Sequence, residues 1–264
     1  MTMDSKKNRW MYIVLGLMLF SLIIFSGLPL IGSIVQKSPI VSEENSEGQI
    51  AIATQEKAKL EAEATGYQKL LLKEPNNETA LRELLKVRLE QQEITETVEP
   101  LEKLVQLHPE QIEYTVLLAQ TKQYLADYEG AAAAYRQVLA EAPGNIMALG
   151  GLVNLFLTQN LPTKAIALLE NTINQGKEDP DSDIDVSSIQ LLLGEVYTQQ
   201  EDYESALAVY DGLAAADKTD FRPVLAQGLV LQKQGKDDIA KPLIRKAYEL
   251  APPDFQDQIK NSYL

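Results

Sequence analysis

The sequence predicts an all-α chain: a right-handed superhelix of about five antiparallel helix pairs, preceded by an N-terminal transmembrane helix. Three observations carry this expectation. Prolines recur at a constant spacing of 34 residues, from 75 to 109 and from 109 to 143. A fixed period of this size marks stacked repeats, each too small to bury its apolar face alone. Apolar residues make up 45% of the 264 positions while Gly (14) and Pro (12) are modest, so most of the chain can bury a core. Finally, residues 10–35 contain no charged side chain.

Taken in order, residues 1–9 carry Lys6, Lys7 and Arg9 against Asp4 and form a basic N-terminus. The run over 10–35 is a transmembrane helix, because at about 1.5 Å per residue it covers a hydrocarbon core of about 30 Å. Trp10 and Tyr12 suit the first interface, and Pro29 kinks or ends the helix near the second. A signal peptide has a shorter apolar region, about 7 to 15 residues, followed by a small-x-small cleavage site that SGLPLIGSIVQKSP does not offer. Basic residues before the span and Glu43, Glu44 and Glu47 after it place the N-terminus in the cytoplasm and the remainder in the periplasm or lumen. Residues 36–48 form a flexible linker. Residues 49–77, rich in Ala, Glu, Lys and Leu, form a capping helix with Tyr67 and Leu70 in the register of a second repeat helix.

The segments LAQTKQYLADYEGAAAAYRQVLAEAPGN and LLGEVYTQQEDYESALAVYDGLAAAD each hold two amphipathic stretches around a short polar turn. Leu118, Ala119, Tyr128, Ala131, Tyr135 and Pro143 in 112–145, and Leu193, Gly194, Tyr197, Tyr203, Ala206 and Tyr210 in 187–220, resemble the tetratricopeptide repeat (TPR) pattern. In that family small residues let two antiparallel helices approach closely, and large ones fill the gap between successive pairs. Steps of 34 give three further repeats. The first, 78–111, has Leu84, Leu85, Leu101 and Leu104, with Thr97 where the pattern has Ala. The repeat 146–179 has Leu152, Ala165 and Leu169, with Pro162 in its turn, and 221–254 has Gly228, Ala240, Ile244, Ala247 and Pro252. Ala165 and Ala206 stand 41 apart, so seven extra residues lie in GKEDPDSDID, whose composition predicts a surface loop. Residues 255–264 form a C-terminal capping segment.

Composition excludes several kinds of chemistry. With no Cys there is no disulfide, thiolate nucleophile or thiolate metal site, and His108, the single histidine, cannot build a triad or a His-rich metal centre. Asp179, Asp181 and Asp183 alternate as in a calcium loop, but the following Gly and the twelfth-position Glu are missing. The net charge of −14, with no Lys/Arg cluster beyond the first nine residues, excludes nucleic acid as a partner. The chain is thus expected to be no enzyme and to hold no cofactor or metal.

The TPR resemblance implies that the first helix of each pair lines a concave groove for a protein partner. Carried over position by position, the groove comprises Arg82 and Lys86; Val116, Leu117, Gln120 and Tyr124; Met147, Asn154 and Leu157; Leu191 and Glu195; Leu225 and Leu229. Mostly apolar residues with scattered polar ones suit an extended or helical apolar segment. The carboxylate clamp of some family members needs Lys, Asn and Arg at defined places, and here only Asn154 and scattered basic residues are available.

The run DFRPVLAQGLVLQKQGKDDIA, with EDYESALAVYDGL before it, resembles the C-terminal repeats of the SLOW GREEN family of plant chloroplast proteins. The resemblance extends more weakly over residues 66–254. It implies a cyanobacterial or plastid-type relative that helps make or maintain photosynthetic membranes, and it raises a stromal placement, equivalent to the cytoplasmic side, against the charge-based one. The expected function is a membrane-anchored scaffold or adaptor that aids assembly or maintenance of a membrane complex in cyanobacterial or thylakoid membranes. Its rival is a stable structural subunit of an envelope machine, such as one for cytochrome c maturation or outer-membrane assembly.

Overall fold

Helix formers set four apart on apolar stripes give twelve α-helices, and no strand, in the computed structural model, which describes residues 44–263 with side chains from residue 54. The cytoplasmic N-terminus at 1–9 and the transmembrane helix at 10–35 lie outside the described residues, as does the linker up to residue 43. Among the described residues no helix is long and apolar enough to cross a membrane. Helix α1 occupies Glu44–Lys73. It therefore takes in the last residues read as linker, because Gln49, Ala51 and their neighbours favour a helix and Glu44 and Glu47 suit its N-terminal end.

The chain divides into two compact units, one ending at Pro100 and the other beginning at Leu101. In the first, α1 packs on α2 (Glu78–Glu90) through Ala64, Leu84 and Val87, edged by Leu60, Tyr67 and Leu71. Arg88 is buried there. Its guanidinium donates to Glu61 of α1 (3.4 Å), to Gln91 (3.1 Å) and to Glu93, which supplies the partners that a buried cation requires. A 3₁₀ turn, Ile94–Thr97, leads into α3 (Val98–Leu107), which crosses the unit boundary.

The second unit continues with α4 (Ile112–Tyr124), α5 (Tyr128–Glu141), α6 (Ile146–Thr158), α7 (Pro162–Glu178) and α8 (Val186–Gln199). Then come α9 (Tyr203–Ala216), α10 (Phe221–Lys233), α11 (Asp237–Leu250) and α12 (Pro253–Tyr263). Its core is layered. Val116 and Ala119 of α4, Tyr135 and Val138 of α5, and Leu152 and Leu155 of α6 form one cluster. Leu149 and Val153 of α6, Leu169 and Ile173 of α7, and Ile189 and Leu193 of α8 form the next. Each layer joins one pair to the first helix of the following pair, which is why no pair could be stable alone.

A backbone feature repeats with the same period. Gln92, Ala126, Asn160, Glu201 and Gly235 all have positive φ, between 57° and 73°. Their spacing is 34, 34, 41 and 34, so the turn register absorbs the insertion. At each, the next residue's N–H reaches back to close the preceding helix, as from Asp127 to the Lys122 carbonyl (2.8 Å) and from Asp202 to that of Tyr197 (2.9 Å). This is the Schellman closure, whose left-handed residue favours glycine, yet only one of the five is glycine. Replacing Ala126 and Glu201 by Gly is therefore expected to raise stability by about 1 kcal/mol each. Urea unfolding that shows no gain at either site would refute the strain. Asp127 and Asp202 also cap the next helix, accepting from Gly130 (2.9 Å) and Ser205 (3.2 Å). Hydrogen bonds from Ser205 hold the Asp202 carboxyl below its usual range.

The acidic insertion departs from the expected loop. Helix α7 runs on through Gly176, Lys177 and Glu178, and Ile184 folds back onto the stack. Gly144 and Gly176 make room for it: a Cβ would lie 2.9 Å from the Ile184 backbone at the first and 2.8 Å from its side chain at the second. One apolar side chain over two glycines thus pins a segment that its composition marks as solvated.

Candidate protein-binding surface

In the second unit the first helices α4, α6, α8 and α10 approach one another directly, and the second helices do so less. The first helices are therefore the inner wall of the stack. In a chain that is 23% charged, α6 (IMALGGLVNLFLT) has no charged residue and α8 (VSSIQLLLGEVYTQ) has only Glu195. The end helices α4 and α10 carry two charges each, and one on each is paired. Lys122 of α4 pairs with Glu102 (2.8 Å). Arg222 of α10 pairs with Asp220 (2.8 Å) and donates to Ser188 (3.0 Å). Arg222 is thus held, and its charge is already met by Asp220. Asp185, which caps α8, is held below its usual range chiefly by the Ser188 hydroxyl, with Arg222 adding to the effect.

The expected groove residues divide into three groups. Tyr124, Asn154 and Glu195 are exposed on the wall, and Tyr124 at 72% is an aromatic ring left in the open. Gln120 is half-buried, as are Met147, Leu157, Leu191, Leu225 and Leu229, which give one side to the core. Arg82 and Lys86 are half-buried on α2 in the first unit, where they pair with Glu78 and with Glu90 (4.0 Å).

Val116 and Leu117 are corrections. They are 0% and 5% exposed and belong to the core, because α4 is covered along the whole run Tyr114–Ala119. The repeat register explains Leu117: its counterpart one pair on is Gly151, against which the preceding pair's Tyr135 ring lies. That position faces the neighbouring helix and not the groove.

A polar chain crosses the wall and was not evident from spacing. The Tyr135 hydroxyl donates to Gln123 Oε1 (3.2 Å), and Gln123 Nε2 donates to Asn154 Oδ1 (2.9 Å), linking α5, α4 and α6. Burial holds the Tyr135 phenol well above its usual pKa, so it remains a neutral donor. The same cause pushes Tyr210, its counterpart two pairs later, up to about 12. Gly151 makes the chain possible, since a Cβ there would stand 2.5 Å from the Tyr135 oxygen. The Gly150–Gly151 pair was the available signal. Gln120 Oε1 on α4 is buried without a hydrogen-bond partner, so the exposed amide of the polar chain is that of Asn154. Amide groups beside apolar patches can meet the backbone and side chains of a bound segment at once.

Comparison with known proteins agrees with this geometry. Tetratricopeptide-repeat family models match residues 125–183 and 190–223. SLOW GREEN 1, a chloroplastic protein of Arabidopsis thaliana, is 26% identical over 243 residues, covering 88% of this chain and 70% of that protein. A tetratricopeptide repeat protein from Parabacteroides merdae superposes with a TM-score of 0.52 at 17% identity, covering 78% of each chain. Yeast Tom70 gives 0.52 at 14% identity over 75% of this chain, which spans 41% of Tom70.

Proposed function

Because the chain carries tetratricopeptide repeats, a helical scaffold suited to protein–protein interaction, we propose that it is a membrane-anchored, non-catalytic adaptor for an uncharged, apolar segment of a partner. The observation that carries this reading is that the inner wall over α6 and α8 bears one charged side chain, Glu195, in a chain that is 23% charged. An anionic ligand placed there would lose hydration without gaining a counter-charge, whereas an apolar segment loses little and finds Leu157, Leu191 and Met147. Tyr124 and Asn154 supply an aromatic anchor and an amide.

The uncharged run at 10–35 is the proposed anchor, and the charge bias around it favours repeats on the periplasmic or lumenal side. The similarity to a chloroplastic protein supports a role in assembling or maintaining a membrane complex, a photosynthetic one first among them. Protease treatment of a C-terminal tag in sealed inverted vesicles tests the topology: protection supports it and digestion reverses it. For the groove, the Tyr124→Ala, Asn154→Ala pair is expected to weaken partner capture about tenfold, or about 1.4 kcal/mol, with an unchanged melting temperature. Unchanged capture by the folded variant would remove these residues from the groove.

A further inference from the structure

We propose that the outer side of the second unit carries a separate docking cleft for an acidic segment of a partner protein, in which an apolar side chain is flanked by carboxylates. The cleft encloses about 510 Å³ between the second helices α5 and α7. Arg136 and Leu139 belong to one wall, Lys164 and Leu168 to the other, and Leu152 and Phe156 of α6 form the floor. The wall residues recur at intervals of three and four, so each wall is a single helix face. Leu152 and Phe156 share one face of α6, while Asn154, halfway between them in sequence, projects from the other and joins the inner wall. The cleft and the inner wall are therefore two surfaces on opposite sides of the same helix.

Charge selects the occupant. The chain has 38 acidic and 24 basic residues, yet the cleft is lined by two cations and no carboxylate. Neither Arg136 nor Lys164 makes an ion pair with a described residue. Two cations across an apolar floor attract a segment that sets carboxylates on both sides of one apolar residue. They are too few to track a phosphate backbone. The cleft is an open trough, which admits a side chain, whereas an acyl chain is better held in an enclosed tunnel.

The test uses the full chain in detergent and a dye-labelled acidic helical peptide with Leu and Phe one turn apart among Glu residues. Fluorescence anisotropy is expected to show micromolar binding that weakens with salt. The Arg136→Glu, Lys164→Glu double variant should bind about tenfold more weakly, since two attractions become repulsions. The Tyr124→Ala, Asn154→Ala variant should bind the peptide as the parent does. No binding up to about 1 mM, equal binding of a peptide with Lys in place of Glu, or equal binding by the double variant would each overturn the proposal. Tighter binding of short-chain phosphatidylglycerol, lost in the same variant, would assign the cleft to lipid and overturn it as well.

Discussion

Tyr135→Ala is expected to lower the unfolding free energy by about 3–5 kcal/mol, the range for removing a large aromatic from a packed core. The ring is 1% exposed and stands where α4, α5 and α6 meet, so its loss opens a cavity shared by two repeats. Tyr135→Phe keeps the ring and loses one hydrogen bond to Gln123, which should cost about 1 kcal/mol. The partner in this contact is Gly151, where an added Cβ would fall 2.2 Å from the ring. Gly151→Ala alone should then cost about 1–3 kcal/mol by overpacking, and much less once Tyr135 is Ala. A denaturant-unfolding cycle reads this directly. Additive losses would show that the ring and the glycine do not form the contact described.

Ala206→Leu is the second large effect, an expected loss of about 1–3 kcal/mol from forcing a branched side chain into a full site. Ala131, Ala165, Ala206 and Ala240 occupy one register position, and each is 0% exposed. Ala206 packs with Tyr210 and Val230, joining α9 to α10. The first pair shows what a larger residue there entails: Thr97 is equally buried, and its helix begins with a 3₁₀ turn in which the Thr97 hydroxyl donates to the Ile94 carbonyl (2.7 Å). Ala208→Leu, at an exposed position two residues on, is the control and should change stability by less than about 0.5 kcal/mol. Thermal melts of both variants decide the matter, and equal melting temperatures would refute close packing at Ala206.

These two sites also mark how far the sequence reached. The 34-residue spacing, the alternation of small and bulky residues and the polar turns were enough to define helix pairs, because amphipathic periodicity records which face of each helix is buried. Of the residues expected in the groove, Tyr124 and Asn154 are exposed, whereas Val116 and Leu117 are buried, since periodicity does not tell a groove from a neighbouring helix.

By itself, then, the sequence determined the helical repeat, its period and the seven-residue insertion, all of which are written in local spacing. Only the tertiary structure decided that Gln, Ala, Asn and Glu take a left-handed turn that glycine would favour. It alone set Ile184 over Gly144 and Gly176, and joined Tyr135 to Asn154 through Gln123. The turns recur because each helix pair must close in the same way, and the other two features arise where different helices and segments meet. There the packing and hydrogen bonding of a whole layer outweigh the preference of any single residue.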